Sequence, residues 1–194
     1  MAHIRVIGPE EASGDLKATY DDLASKRGKL AEVHKVQSLH PETIVQHMDL
    51  YMELMYGSSP LTRAQREMLG VVVSAENGCE YCQEHHGAAL ERYWKDDEAV
   101  LQLRKQRDTA GLAGLSDVER ELCALAVELT RDPASSTAQR IDSLKRSGLS
   151  DRAVLDATMI ISYFNFVNRI VLGLGVELEE DRGRGYRYDS ADTG

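Results

Sequence analysis

Apolar positions along the chain recur at helical spacing, and no stretch alternates in the way a half-buried strand would. Leu16, Tyr20 and Leu23 behind Ser13 predict a first helix, ended by the polar run Ser25-Lys26-Arg27-Gly28-Lys29. Pro41 suits the first turn of another, on which Ile44, Val45, Met48, Tyr51, Met52 and Met55 share a face before Gly57-Ser58-Ser59-Pro60 closes it. That Met-rich face reads as packing. Thr62 and Gln65 give a capping-box signal ahead of the apolar Met68, Leu69, Val71, Val72 and Val73. The signal recurs at Leu115-Ser116, with Arg120-Glu121 at the offset of Arg66-Glu67, and points to an internally duplicated helical unit.

Further helices are expected from Cys79 to Trp94, Glu98 to Arg107, 116–129 and Thr137 to Arg146, with Gly148 as the C-cap of the last. Ser150 then caps a long apolar segment through Leu172. Residues 1–12 read as an irregular lead and 108–114 as a loop. The polar, glycine-bearing tail 177–194 reads as mobile or draped on a neighbour. The fold class is all-α, and residues 1–194 form one domain.

Charge narrows the choice of partners. A formal charge of -9 and a pI near 5.2 offer no basic field, so neither nucleic acid nor an anionic membrane surface is expected as a partner. The N-terminus lacks a charged-then-apolar leader, and no run is read as reaching the ~20 apolar residues of a membrane span. The expected location is cytoplasmic, where reducing pools make a C-x-x-C more often catalytic than structural.

That motif is Cys79-Glu80-Tyr81-Cys82, entered through the turn signal Asn77-Gly78 and followed by His85-His86. Three residues apart at a helix start, the two sulfurs share a face, with Cβ atoms roughly 5–6 Å apart. The helix N-terminus favours thiolate over thiol. His86, four residues beyond Cys82, falls on the same face. His85 points roughly 100° away. Other readings exist for the pair. Zinc would need ligands that the remaining Cys123 cannot supply alone. A structural disulfide closing so short a loop removes little chain entropy. The hydrophilic Glu80, Gln83 and Glu84 argue against two cysteines that merely pack.

The set of Glu67, then Cys79-x-x-Cys82-x-x-x-His86 twelve residues on, resembles the core of the alkylhydroperoxidase D (AhpD-like) proteins of the carboxymuconolactone decarboxylase superfamily. Asn77-Gly78-Cys79-Glu80-Tyr81-Cys82 with His85-His86, and the later Tyr163-Phe164-Asn165-Phe166-Val167-Asn168-Arg169-Ile170, are most similar to the subgroup called peroxidase-related enzymes. The core resemblance spans about residues 40–110, and the subgroup resemblance most of the chain. It implies an AhpD-like helical fold, assembly as trimers or hexamers, and reduction of organic hydroperoxides without haem or metal. It also implies no bound cofactor but an external dithiol reductant, thioredoxin-like or lipoyl-type. Carried over by position, Cys82 is the peroxidatic thiolate, Cys79 the resolving thiol, His86 the proton relay, and Glu67 the base that polarises His86. Tyr81 stands where AhpD has a second histidine between its cysteines.

The chemistry of the residues agrees with that expectation. Thiolate attack on a peroxide leaves a sulfenic acid, which a neighbouring thiol condenses to a disulfide. A histidine fixed by a carboxylate can move the protons. Glu67 could instead be an ordinary exposed first-turn glutamate. His34, His40 and His47 read as surface or packing residues, and Cys123 as a buried inert thiol. Asn165, Asn168 and Arg169 read as lining the pocket or joining a subunit contact. Two other functions stay open: a redox-responsive oligomeric sensor or adaptor, and a decarboxylase-like enzyme, although lactone decarboxylation does not call for two thiols.

Overall fold

The computed structural model describes residues 2–105, 114–134 and 138–186. Most of the expected 108–114 loop and the tail beyond residue 186 lie outside these described residues. Within them the chain forms nine helices and no strand: α1 (Gly14–Arg27), α2 (Glu32–Lys35), α3 (Pro41–Tyr56), α4 (Arg63–Glu76), α5 (Glu80–Trp94), α6 (Asp97–Lys105), α7 (Asp117–Arg131), α8 (Ala138–Arg146) and α9 (Asp151–Leu174). The four residues of α2 carry too little periodicity to be read from sequence.

Helix α4 is the axis of the fold. Met68, Leu69, Val71 and Val73 are all sealed from solvent, and α4 is buried from Arg66 to Ser74, with α5, α7 and α9 as neighbours. A smaller cluster joins α1 to α3 through Leu16, Tyr20, Leu23, Ile44 and Met48. Both capping boxes form: the Thr62 side chain accepts from the Gln65 amide, and the Ser116 side chain from the Glu119 amide. The duplication extends to the pairing α4 with α5 and α7 with α8. Its chemistry differs between copies, for Glu67 is buried against His86 whereas Glu121 accepts from Arg140 at 2.7 Å in a half-buried ion pair.

Helix α9 corrects one expectation. Its 24 residues, with a mean hydropathy of 1.3 over the most apolar window, are long and apolar enough to cross a membrane by length and composition. In this structure it is a core helix: Ile160, Ile161, Phe164 and Asn168 are fully buried within the protein. The polar positions on it are internal ties. Asn77 Nδ2 donates to Asn165 Oδ1 and to Asn168 Oδ1 at 3.0 Å each, and Asn168 Nδ2 donates to Ser74 Oγ at 3.1 Å. These bonds pin the α4–α5 turn to α9, so the two asparagines serve the interior of one chain, with Arg169 bonded beside them to the Asn165 carbonyl.

The segment after α9 is not loose through residue 186. It folds back across α5: Glu179 meets His85 and Tyr81, Arg182 meets Glu80 and Glu84, and Asp181 meets Lys29.

Candidate active site

The site begins at the turn between α4 and α5. Gly78 takes φ +69°, a left-handed conformation that favours glycine, and reverses the chain. The Cys79 amide then donates to the Ser74 carbonyl at 2.8 Å, and Cys79 becomes the N-cap of α5. Cys82 follows in the first turn. Both thiols are free and buried, contrary to what their polar neighbours implied: Glu80 is exposed on the outer face while the sulfurs point inward to the core.

The two sulfurs form one electrostatic unit. The Cys82 thiol hydrogen-bonds Cys79 and draws the Cys79 thiol below its ordinary value against the opposing effect of burial, with Asn168 helping. The same bond, together with burial, pushes Cys82 up. Within the pair, thiolate character is therefore favoured at Cys79 over Cys82.

Glu67 and His86 meet as the sequence reading expected. The carboxylate is fully buried; its Oε2 accepts from His86 Nδ1 at 2.7 Å and its Oε1 from Arg63 Nη2 at 2.6 Å. Burial opposes the charge on Glu67, but His86 and Arg63 outweigh it and hold the carboxyl below the ordinary carboxylate range. Arg63 is itself held over the Tyr56 ring at 3.5 Å. With Nδ1 donating to Glu67, the other nitrogen, Nε2, is free for proton exchange. The imidazole stands edge-on to Phe164, with ring centroids 4.5 Å apart. Among the described residues no hydrogen bond joins His86 to either sulfur. Both His86 and Cys82 instead open on one cavity of about 70 Å³.

That cavity has a wider cast than the sequence disclosed. Tyr51, Tyr81, Tyr163 and Tyr186 give it aromatic walls, and Arg27 and Lys29 also line it. His34 and His47, read as surface or packing residues, line it as well. Burial, the nearby His47 and Arg27 push His34 down to about 3, and burial pushes His47 down to about 4, so both are neutral near pH 7. The signal for His47 was its phase, since it falls on the α3 face with Ile44, Met48 and Met55. His85 is turned from His86 as expected yet reaches the same cavity. It stacks on Tyr81 at 4.3 Å, and its Nε2 meets Glu179 Oε2 at 2.8 Å. Tyr81 donates to Glu179 Oε1 at 2.9 Å.

Cys123 is buried in α7, and its thiol is pushed up to about 12 by burial, as befits an inert residue. His40 is exposed at the start of α3. Among the described residues, no three His, Cys, Asp or Glu side chains gather into a metal-holding group.

The profile of the carboxymuconolactone decarboxylase family matches residues 41–112, which run from α3 through the cysteine helix. The chain is 25% identical to an uncharacterized peroxidase-related protein from Silicibacter sp. TM1040, with a TM-score of 0.78 over 95% of this chain and 92% of that one. The alkylhydroperoxidase AhpD core of a peroxidase-related protein from Ralstonia eutropha JMP134 superposes with a TM-score of 0.82 at 22% identity, covering 96% and 98%. The debrominase Bmp8, in complex with 2,3,4-tribromopyrrole, shares the fold at 17% identity and a TM-score of 0.76, covering 94% and 96%. The protein YdfG of Bacillus subtilis (strain 168) is 24% identical over 135 residues, 70% of this chain and 88% of its own length. The family match over residues 41–112 and the likeness to the peroxidase-related structures support the AhpD/carboxymuconolactone decarboxylase superfamily. Family and fold together support an enzymatic activity of that type, peroxidase-related or decarboxylase-like.

Proposed function

We propose that the chain is a thiol-dependent alkyl hydroperoxide reductase in which Cys82 attacks, Cys79 resolves, and His86 carries the proton under the control of Glu67. The observation that carries this reading is the shared cavity: Cys82 and the Glu67-fixed imidazole open on the same space, and Cys79 is hydrogen-bonded behind Cys82.

As a hydroperoxide enters, the Cys82 thiol gives its proton to His86 Nε2, whose Nδ1 is held by Glu67. The Cys82 thiolate forms a bond to the terminal peroxide oxygen and the O–O bond breaks. The electron pair leaves on the alkoxide, which takes a proton from the His86 imidazolium and departs as alcohol. The Cys79 sulfur then attacks the sulfenic sulfur while its proton passes to the departing hydroxyl, so that the S–O bond breaks, water leaves and a disulfide remains. Each turn converts dithiol and hydroperoxide to disulfide, alcohol and water. Because both sulfurs are buried, a slender arm such as a lipoyl group suits the reductant better than direct docking of a thioredoxin-like protein. A cytoplasmic setting would keep the pair reduced. The same reading includes self-assembly as trimers or hexamers, for which Leu155, Met159 and Phe166 offer an exposed apolar stripe on α9.

The test is turnover of cumene hydroperoxide with an excess of small dithiol. Wild type should consume many equivalents per chain and Cys82→Ser none. Turnover unchanged in that variant overturns the assignment, and a reaction that stops after one equivalent with reductant present indicates a sensor. The aromatic walls favour one second reading, reductive dehalogenation of a flat ring, in which two thiols supply two electrons and release halide. Bromide release from a bromopyrrole with no peroxide turnover would select it.

A further inference from the structure

Tyr163 lines the cavity with Cys82, and its hydroxyl is buried with one partner among the described residues, His47 Nε2 at 2.7 Å. The direction of that bond follows from the residues behind it. Gln37 Nε2 lies 2.8 Å from the Val33 carbonyl, an oxygen that can only accept, so this atom is the amide nitrogen and its orientation is fixed. The second Gln37 hydrogen points to His47 Nδ1 at 2.9 Å. The His47 ring is buried and neutral, so a nitrogen that accepts at Nδ1 must carry its hydrogen on Nε2. His47 therefore donates to the Tyr163 oxygen. The phenolic hydrogen is left without an acceptor among the described residues, on a side chain that faces the cavity.

Resting on the peroxidase reading above, we propose that Tyr163 is a further catalytic residue: its hydroxyl donates a hydrogen bond to the alkoxide oxygen that leaves when Cys82 attacks the peroxide. Gln37 and His47 are positioning residues that aim this donor. The electron pair of the breaking O–O bond collects on the alkoxide, Tyr163 stabilises it there, and the proton that completes the alcohol still comes from His86. Tyr163 does not lose its own proton, and burial, with the charges of Tyr51 and Cys82, holds its pKa far above the ordinary tyrosine value. A donor of this kind works as an oxyanion hole does, in a site where water does not compete.

The prediction is a dependence on leaving group. Tyr163→Phe keeps the ring and removes the donor. The rate at which tert-butyl hydroperoxide oxidises the thiols in a single turnover should fall by about 10²-fold. Peracetic acid, whose carboxylate leaves without help, should lose less than about 3-fold, since general stabilisation of the nucleophile is unchanged. Alkylation by iodoacetamide, which expels iodide, should proceed at the wild-type rate and shows that the thiols and their pocket are intact. An equal loss with both oxidants, or none with tert-butyl hydroperoxide, overturns the role of Tyr163 while leaving the peroxidase reading in place. Failure of the wild type itself to react with either oxidant overturns both.

Discussion

Glu67 accepts from His86 Nδ1 at 2.7 Å while its other oxygen accepts from Arg63, so one buried carboxylate fixes both the tautomer and the tilt of the imidazole that shares a cavity with Cys82. Glu67→Gln preserves the shape and removes the charge. The rate of thiol oxidation by hydroperoxide should fall by about 10- to 100-fold, the usual loss when a carboxylate behind a functional histidine is neutralised. Glu67→Ala should do more, leaving Arg63 and His86 without their shared partner and lowering stability by about 3–5 kcal/mol. Stopped-flow oxidation and urea unfolding separate the two effects, and a Gln variant at the wild-type rate would remove Glu67 from the relay.

Glu179 ties the segment after α9 to the cavity wall, and its acid response has a definite sign. Burial opposes its charge, but hydrogen bonds from His85 and the Glu32 amide, with the charge of His85, lower its pKa from 4.5 to about 2. A carboxyl with a depressed folded pKa contributes stability that is full above its unfolded value and is lost as pH falls through the folded one. Glu179→Gln should therefore cost about 2 kcal/mol at pH 7, and the gap to wild type should narrow between pH 4.5 and about 2. Urea unfolding across that range checks it; a constant gap would mean that the carboxylate charge contributes nothing.

Much of this site was legible because it is local. Glu67, Cys79, Cys82 and His86 lie on two consecutive helices joined by a tight turn, so helical spacing alone brings three of them to one face and a single chain reversal brings the fourth. Both capping boxes were written in adjacent residues and formed. What escaped depends on contacts across long sequence separations. His47 reaches Tyr163 across 116 positions and His85 reaches Glu179 across 94, and no periodicity encodes which partner a buried ring will find. The distribution of charge between the cysteines was hidden for a similar reason, because Asn168 on α9 helps set it.

Gly70 lies in the middle of α4 where Phe164 presses against the helix backbone. A Cβ there would stand 2.6 Å from Phe164 Cζ, closer than real carbon contacts allow. Phe164 is fully buried and braces His86 edge-on, so Gly70→Ala must displace a ring that also positions the imidazole. Stability should fall by about 1–3 kcal/mol despite the gain in helix propensity, and the peroxide rate should fall with it. Unfolding together with single-turnover oxidation tests this; a more stable, fully active variant would show that the ring can yield freely.

Cys123 shares the core with the reactive pair but not its chemistry. It sits in α7 among Leu122, Leu125 and Ala126, all sealed from solvent, and its thiol is raised to about 12 by burial, with Glu119 adding to the effect. At pH 8 almost none of it is thiolate, and it does not line the cavity on which Cys82 opens. Iodoacetamide should modify the folded protein at the Cys79–Cys82 pair and reach Cys123 only after urea unfolding. Cys123→Ala should keep wild-type turnover and lose about 1 kcal/mol or less of stability, because little volume is removed. Peptide mass spectrometry after timed alkylation measures both points, and modification of Cys123 at a rate matching the pair would show that α7 opens far more readily than its packing implies.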